Sequence, residues 1–155
     1  MTKQQDIELI ELLNEEWLLL ITSMKTFQLS VEKCKLIGDK KDYSFTELES
    51  FDSLTSKFSR SLDIYTQKVL RTSWTLLKEG FGPFIDMMHN MEKIGVIQSS
   101  DQLIDIRDLR NKIAHEYLPN AIKKLIPDAL YFSAYLDENI KVTEQFLSAH
   151  KWLNI

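Results

Sequence analysis

The sequence predicts an all-α fold, an antiparallel bundle of four to five helices that forms a single domain over residues 1–155. Apolar residues recur every three to four positions over long stretches, which is the periodicity of helices with one buried face. Only 4 glycines and 3 prolines interrupt the chain, so few positions favour tight turns. No stretch alternates polar and apolar residues for long enough to indicate a strand.

The first helix is predicted from about Asp6 to Leu36, with Gly38 ending it. Its apolar positions follow one another in alternating steps of three and four: Ile10, Leu13, Trp17, Leu20, Met24, Phe27, Val31 and Cys34. Additional leucines widen this stripe, which suits a helix packed on several neighbours or one that also contacts a partner. Cys34, the single cysteine, lies on the stripe and is therefore predicted to be a buried apolar side chain.

A second long helix is predicted from Ser44 to about Lys78. Ser44 and Glu47 have the spacing of a capping box, in which each residue bonds to the backbone of the other. The apolar positions of this helix are Phe51, Leu54, Phe58, Leu62, Tyr65 and Val69. Gly80 and Gly82 are expected to break it.

Two shorter helices follow. Pro83 is well placed to open the third helix, Phe84 to Lys93, and Gly95 is expected to end it. Ser99 or Ser100 caps the fourth helix. The fourth helix has its apolar face at Leu103, Ile106, Leu109 and Ile113.

The last helix is predicted from about Asn120 to Trp152, because Pro119 forces a turn before it. Its apolar stripe comprises Leu125, Ala129, Phe132, Leu136, Ile140, Thr143 and Leu147. Pro127 lies within this stretch, so the helix either starts at Pro127 or kinks there.

Composition and charge exclude several classes of function. The net charge of −4 provides no global positive field, so any RNA contact needs a local basic patch. No Cys/His cluster suggests zinc and no glycine-rich loop suggests a nucleotide cofactor, so neither metal nor cofactor is expected. The polar start does not resemble a signal peptide, and the apolar cluster of residues 17–21 is far too short to span a bilayer. We therefore expect a cytoplasmic protein without membrane contact.

The candidate site lies at the end of the fourth helix, in the string LRNKIAHEY of residues 109–117. Arg110 can hold a phosphate through two parallel hydrogen bonds, and His115 can move a proton near neutral pH. Together they can bind or cut RNA without a metal ion. Isolated Arg/His pairs are usually ordinary surface residues, so the hypothesis depends on the full string and its place late in an all-helical chain.

Three neighbours are predicted to support this pair. Asn111 precedes His115 by four residues and shares its helix face, where it can orient the imidazole or the phosphate. Arg107 and Lys112 form a small basic patch with Arg110. The alternative is a solvated helix face on which these cations pair with Asp105, Asp108 and Glu116.

The second helix contains a polar group within its apolar pattern, formed by Ser59, Arg60 and Asp63. This group can line a cleft opposite residues 109–117. Because Arg60 and Asp63 are three residues apart, the alternative is an ordinary ion pair within the helix. The sequence leaves both alternatives open.

The spacing Arg-x4-His-x-Tyr, with Asn directly after Arg, resembles the motif of the HEPN superfamily. Within that superfamily the chain is most similar to the HepT-type toxins that pair with minimal nucleotidyltransferases. The likeness extends from about Phe51 to Tyr117, and residues 91–99 look like the usual lead-in to the motif. The stretch of residues 58–63 is also similar, although it has Leu62 where glutamine is expected.

This resemblance implies a metal-independent endoribonuclease toxin whose site, with Arg110 and His115 as catalytic residues, lies at a dimer cleft. It also implies that the partner nucleotidyltransferase, the antitoxin, modifies Tyr117 with AMP. The wide apolar first helix and the need for two histidines likewise predict a homodimer. The alternatives are a non-catalytic helical module that binds a nucleotidyltransferase or nucleotide, and a structural bundle without a site.

Overall fold

The computed structural model describes residues 3–116 and 118–154, and within them every regular element is helical. The elements are α1 (Lys3–Ile37), α2 (Phe45–Ile64), a π-helical segment (Tyr65–Val69), α3 (Leu70–Leu76), α4 (Phe84–Ile94), α5 (Ser100–Ala114) and α6 (Pro119–Ala149). Because α2, the π segment and α3 follow one another without a break, they form one long helical rod. The predicted all-α helical bundle is confirmed.

The ends of the helices follow the local signals in the sequence. The Glu47 N–H donates to Ser44 Oγ at 3.1 Å and the Ser44 N–H donates to Glu47 Oε1 at 2.9 Å, which completes the capping box. Ser99, rather than Ser100, caps α5 by accepting the Gln102 N–H. Gly95 ends α4 at a φ of 96°, a left-handed conformation that favours glycine.

The core forms where α1 packs along the α2–α3 rod. Phe27 of α1 meets Phe58 of α2 edge to face, with ring centroids 5.9 Å apart. α2 also packs against α5 and α6, whereas the main contacts of α5 are with α2, α4 and α6. Cys34 is buried in this core as predicted, and its thiol donates to the Ser50 carbonyl.

α6 begins at Pro119, a favourable first position for proline, and Pro127 lies inside it. Of the two alternatives from the sequence, a helix starting at Pro127 is therefore wrong. α6 ends at Ala149, three residues before the predicted end. Asn14 of α1 then holds the following chain, because its amide nitrogen donates to the Trp152 carbonyl and its amide oxygen accepts the Asn154 N–H.

The π segment was not predicted, since the sequence shows only one continuous helical stripe there. Its first residue, Tyr65, is fully buried, and its hydroxyl lies 2.6 Å from Thr143 Oγ1 on α6. Thr143 Oγ1 also lies 2.7 Å from the carbonyl oxygen of Val96, to which it can donate. A buried polar chain thus connects the widened turn, α6 and the loop before α5.

Asn139 of α6 fixes the start of α5. Its amide oxygen accepts the N–H groups of Gln98 and Ser99, both at 3.0 Å, and its amide nitrogen donates to the Gln102 side chain. Asn139 is fully buried, so these bonds are partly shielded from water. The contact sets where α5 begins and therefore how residues 109–116 meet α2 and α6.

Candidate functional site

Arg110 points from α5 toward α2, where Asp63 accepts two hydrogen bonds from it. Arg110 Nε lies 3.0 Å from Asp63 Oδ1, and Arg110 Nη2 lies 2.8 Å from Asp63 Oδ2. This is the bidentate geometry that arginine forms with planar anions. Hydrogen bonding to Asp63 raises the pKa of Arg110, so the guanidinium stays charged. The third nitrogen, Nη1, takes no part in the pair, and 28% of the side chain remains exposed.

The pairing of Asp63 with Arg110 bears on the two alternatives for α2. Asp63 uses both oxygens for an arginine 47 residues further along the chain rather than for Arg60 on its own helix. Arg60 is exposed and belongs to none of the ion pairs in the described part of the chain. The polar group of α2 therefore faces residues 109–116.

An open cleft of about 390 Å³ lies between α2 and α5, and we call it the α2–α5 cleft. Its lining includes Ser59, Arg60 and Arg110, so it brings together three of the predicted site residues. Ser59 Oγ is buried and has no hydrogen-bond partner among the described residues. The cleft thus presents two cations that can bind a phosphodiester, beside the carboxylates of Asp52 and Glu116.

His115 is the residue at which α5 ends. Its N–H donates to the carbonyls of Asn111 and Lys112, each at 3.2 Å, and the residue is exposed. It lines a second open cleft of about 470 Å³ with Asn111, Lys112, Glu116 and Leu125 of α6, which we call the α5–α6 cleft. Asn111 and His115 therefore line the same cleft, in keeping with their spacing.

Arg110 and His115 open into different clefts of the same chain. The α2–α5 cleft contains Arg110 without His115, and the α5–α6 cleft contains His115 without Arg110. On a regular helix two residues five positions apart point about 140° away from each other, which accounts for the separation. Glu116 lines both clefts and so marks the ridge between them. From the sequence, Glu116 was predicted only as an ion-pair partner.

The three cations of the predicted basic patch lie in different surroundings. The guanidinium of Arg107 stacks over the Phe84 ring of α4, 4.2 Å from its centroid, and its Nε is buried without a hydrogen-bond partner among the described residues. Lys112 lines the α5–α6 cleft, whereas Arg110 lines the α2–α5 cleft. Positive charge is therefore spread around α5 instead of being concentrated on one face.

Tyr117, the predicted AMP acceptor, lies outside the described residues. The residue before it, Glu116, accepts the backbone N–H of Leu118 through its carboxylate at 3.2 Å. Among residues 3–116 and 118–154, no group of three or more His, Cys, Asp or Glu side chains can hold a metal ion. The same residues include no helix that is long and apolar enough to cross a membrane.

Comparison with known proteins gives no match to a family model, to a curated protein or to a solved structure.

Proposed function

We propose that the chain is a metal-independent endoribonuclease toxin of the HEPN type, the partner of a minimal nucleotidyltransferase antitoxin. The observation that carries the proposal is the Arg110 guanidinium. Asp63 holds two of its nitrogens, and the third belongs to a side chain that remains partly exposed in an open cleft. A positioned cation of this kind can bind an RNA phosphate and stabilise the charge that develops on it during cleavage.

The chemistry needs a base, a cation and an acid. One histidine takes the proton of the ribose 2′-hydroxyl, whose oxygen then attacks the neighbouring phosphorus. The bond from phosphorus to the 5′-oxygen breaks, and a second histidine protonates that leaving oxygen. The products are a 2′,3′-cyclic phosphate and a 5′-hydroxyl. Arg110 neutralises the non-bridging phosphate oxygens throughout.

The separation of the two clefts supports a site shared between two chains. One chain offers Arg110 and His115 on different sides of a ridge, and it has only one motif histidine. A two-fold pair that joins the ends of two α5 helices supplies two arginines and two histidines around one phosphodiester. We therefore place the proposed catalytic site at a homodimer cleft.

The partner and the cellular site follow from the same proposal. The antitoxin transfers AMP to Tyr117, two positions after His115 in the sequence, and the added negative charge then repels RNA. A toxin that cleaves cellular RNA acts in the cytoplasm. Intact mass spectrometry after co-expression tests this step, since wild type should gain AMP units and Tyr117→Phe should gain none. Equal modification of both proteins would place the acceptor elsewhere.

Substitution of the two catalytic residues tests the nuclease. Arg110→Ala and His115→Ala should each lower RNA cleavage at least about 100-fold, the lower range for losing a charge-stabilising donor and for losing a general acid or base, respectively. Both side chains are partly or fully exposed, so the free energy of unfolding, measured in urea, should change by no more than about 1 kcal/mol. His89→Ala, which removes an exposed histidine outside the motif, is the matched control and should keep its activity.

The proposed mechanism also fixes the product and the metal requirement. Cleavage should persist in EDTA and should leave a 2′,3′-cyclic phosphate end. Activity that vanishes in EDTA and returns with magnesium would contradict the mechanism. A wild type that binds a nucleotidyltransferase or a nucleotide but cleaves no RNA would support the non-catalytic module instead.

A further inference from the structure

The outer face of α1 bears a line of exposed apolar side chains. Ile7, Leu18, Leu29 and Leu36 are 43%, 68%, 67% and 88% exposed, although each is large and apolar. Steps of eleven and seven residues are within about 20° of whole turns of an α-helix, so the four side chains point in nearly one direction. The buried stripe of α1 lies on the opposite side and packs on α2. Nothing in the described part of the chain covers this outer line.

From Ile7 to Leu29 the line is symmetric about Leu18, and Leu36 lies beyond this symmetric part. Ile7 lies eleven residues before it and Leu29 eleven residues after it, so an apolar residue stands at each of these distances. Glu11 lies seven residues before Leu18 and Lys25 seven residues after it, so opposite charges stand at these shorter distances. Both are exposed, and neither belongs to an ion pair in the described part of the chain.

We infer that this face docks on the same face of a second copy of the chain, with the two α1 helices antiparallel and a two-fold axis passing at Leu18. The axis brings Leu18 against Leu18 of the second copy and Ile7 against Leu29. It also brings Glu11 against Lys25. Symmetry makes the contacts of Ile7 with Leu29 and of Glu11 with Lys25 twice, whereas the Leu18 pair occurs once, on the axis. From Ile7 to Leu29 each apolar residue of the line then meets an apolar residue, and Glu11 meets Lys25.

Charge complementarity selects both the second copy and its direction. A parallel pair in register would place Glu11 on Glu11 and Lys25 on Lys25, which is repulsive at both positions. At the ends of the overlap Lys3 lies opposite Lys33, each fifteen residues from Leu18, and Glu32 adjoins Lys33, so the choice of direction depends on Glu11 and Lys25. The overlapping helices over residues 3–33 are about 45 Å long.

This contact is separate from the proposed nuclease site and does not depend on it. The outer face of α1 points away from α2, whereas residues 109–116 lie at the end of α5, which packs on α2 and α6. The α1 contact therefore leaves the α2–α5 and α5–α6 clefts open. RNA cleavage and α1 pairing can each fail without the other.

Cysteine cross-linking tests the position of the axis. Leu18→Cys and Leu29→Cys place a thiol at almost equally exposed positions of the same face. The axis brings two copies of residue 18 together but leaves two copies of residue 29 about 33 Å apart along the helices. A short bis-maleimide should therefore join Leu18→Cys into covalent dimers and should leave Leu29→Cys as single chains. Wild type, whose single thiol is buried, is the blank.

Mixing Ile7→Cys with Leu29→Cys should restore cross-linking, as a mixed dimer. Equal cross-linking of Leu18→Cys and Leu29→Cys would indicate a parallel or random contact and would overturn the inference. Absence of cross-linking in Leu18→Cys at high micromolar concentration would overturn it as well. All three positions are exposed, so the folded state should tolerate the substitutions, and circular dichroism checks this.

Charge reversal tests the pairing independently. Glu11→Lys alone and Lys25→Glu alone each create two repulsive contacts, so light scattering should show that the mass of the assembly halves. The double variant, Glu11→Lys with Lys25→Glu, recreates both pairs with inverted signs and should recover the wild-type mass. Failure of the double variant to recover, or full assembly of both single variants, would overturn the inference.

Discussion

Asp63 is the residue on which the position of Arg110 depends. Its two oxygens bind Nε and Nη2 of Arg110 and leave the guanidinium one orientation in the α2–α5 cleft. Asp63 and Arg110 are both partly exposed, and ion pairs of this kind contribute at most about 1 kcal/mol to stability. The fold does not depend on this ion pair, so the main effect of Asp63 is to position the charge of Arg110.

We expect Asp63→Asn to lower the kcat of RNA cleavage about 10- to 100-fold, because a misplaced catalytic group has an effect of this size. KM should change less, since Arg110 remains charged and can still attract a phosphate. The free energy of unfolding should fall by no more than about 1 kcal/mol. Asp52→Asn removes a carboxylate from the same cleft without touching Arg110 and serves as the control. Unchanged kcat and KM in Asp63→Asn would show that Asp63 does not position Arg110 for catalysis.

Glu16 gives a second expectation, which concerns pH. Its carboxyl is almost fully buried between α1 and α3, where it accepts a hydrogen bond from Thr72 Oγ1 at 2.6 Å. Burial raises the pKa of Glu16 above its ordinary value of 4.5, although Thr72 and Lys68 act in the opposite direction. The folded protein thus retains this proton at pH values where the unfolded chain has released it. The group favours folding most below 4.5 and loses that contribution as the pH rises through its folded pKa.

Glu16→Gln should therefore raise the Tm at pH 7, because glutamine keeps an oxygen for Thr72 without a buried charge. For a chain of this size, each 1 kcal/mol corresponds to about 2–4 °C. The difference from wild type should shrink as the pH falls toward 4.5, which thermal unfolding at several pH values can measure. Glu15→Gln, at an exposed neighbour, should leave the Tm nearly unchanged at every pH. A difference for Glu16→Gln that is constant with pH would show that charge is not its cause.

At the level of helices, the sequence predicted what local contacts determine. The capping box at Ser44, the cap at Ser99 and the left-handed end at Gly95 each involve residues within a few positions, so the sequence displays them directly. The pairing of Asp63 with Arg110 spans 47 residues and depends on how α2 packs against α5. Sequence periodicity does not contain that packing, which is why Asp63 remained ambiguous.

The prediction at the level of helices concerns the side chain of Asn139, which holds the start of α5. Asn139→Leu should lower the free energy of unfolding by about 1–3 kcal/mol, because it removes the acceptor of the partly buried N–H groups of Gln98 and Ser99. Gln102→Leu removes only the acceptor for the Asn139 amide and should lower it by about 1 kcal/mol or less. Urea unfolding measures both. Equal losses in the two variants would show that Asn139 does not anchor the start of α5.

For the whole molecule, the two features that predict a homodimer lie on different surfaces. The exposed line of α1 faces away from α2, and the proposed nuclease cleft lies at the end of α5. From the sequence, the apolar first helix and the need for two histidines each predicted a second copy. The sequence could not show that these two features lie on separate surfaces and so require separate contacts. If both contacts form, each chain binds one copy through α1 and another through the end of α5, so the assembly is larger than a dimer.

Mixing wild type with His115→Ala tests the shared nuclease site. If each site needs a histidine from both chains, an equal mixture that has exchanged subunits should keep about a quarter of the wild-type activity. If each chain acts alone, the mixture should keep about half. Initial cleavage rates across a series of mixing ratios distinguish a curved dependence from a straight one. A straight line would place the complete site within a single chain.

The π segment also determines where this long helical rod can change its length. A π turn accommodates one more residue than an α turn, so the halves on either side keep their facing despite the extra residue. Deleting exposed Gln67 would convert residues 65–69 to ordinary α-helix and leave Asp63 and Trp74 aligned as they are. Deleting exposed Ser56 would instead turn everything before it by about 100° relative to everything after it. Of the two positions, only Gln67 can therefore be lost during divergence while the core and the contact between Asp63 and Arg110 persist.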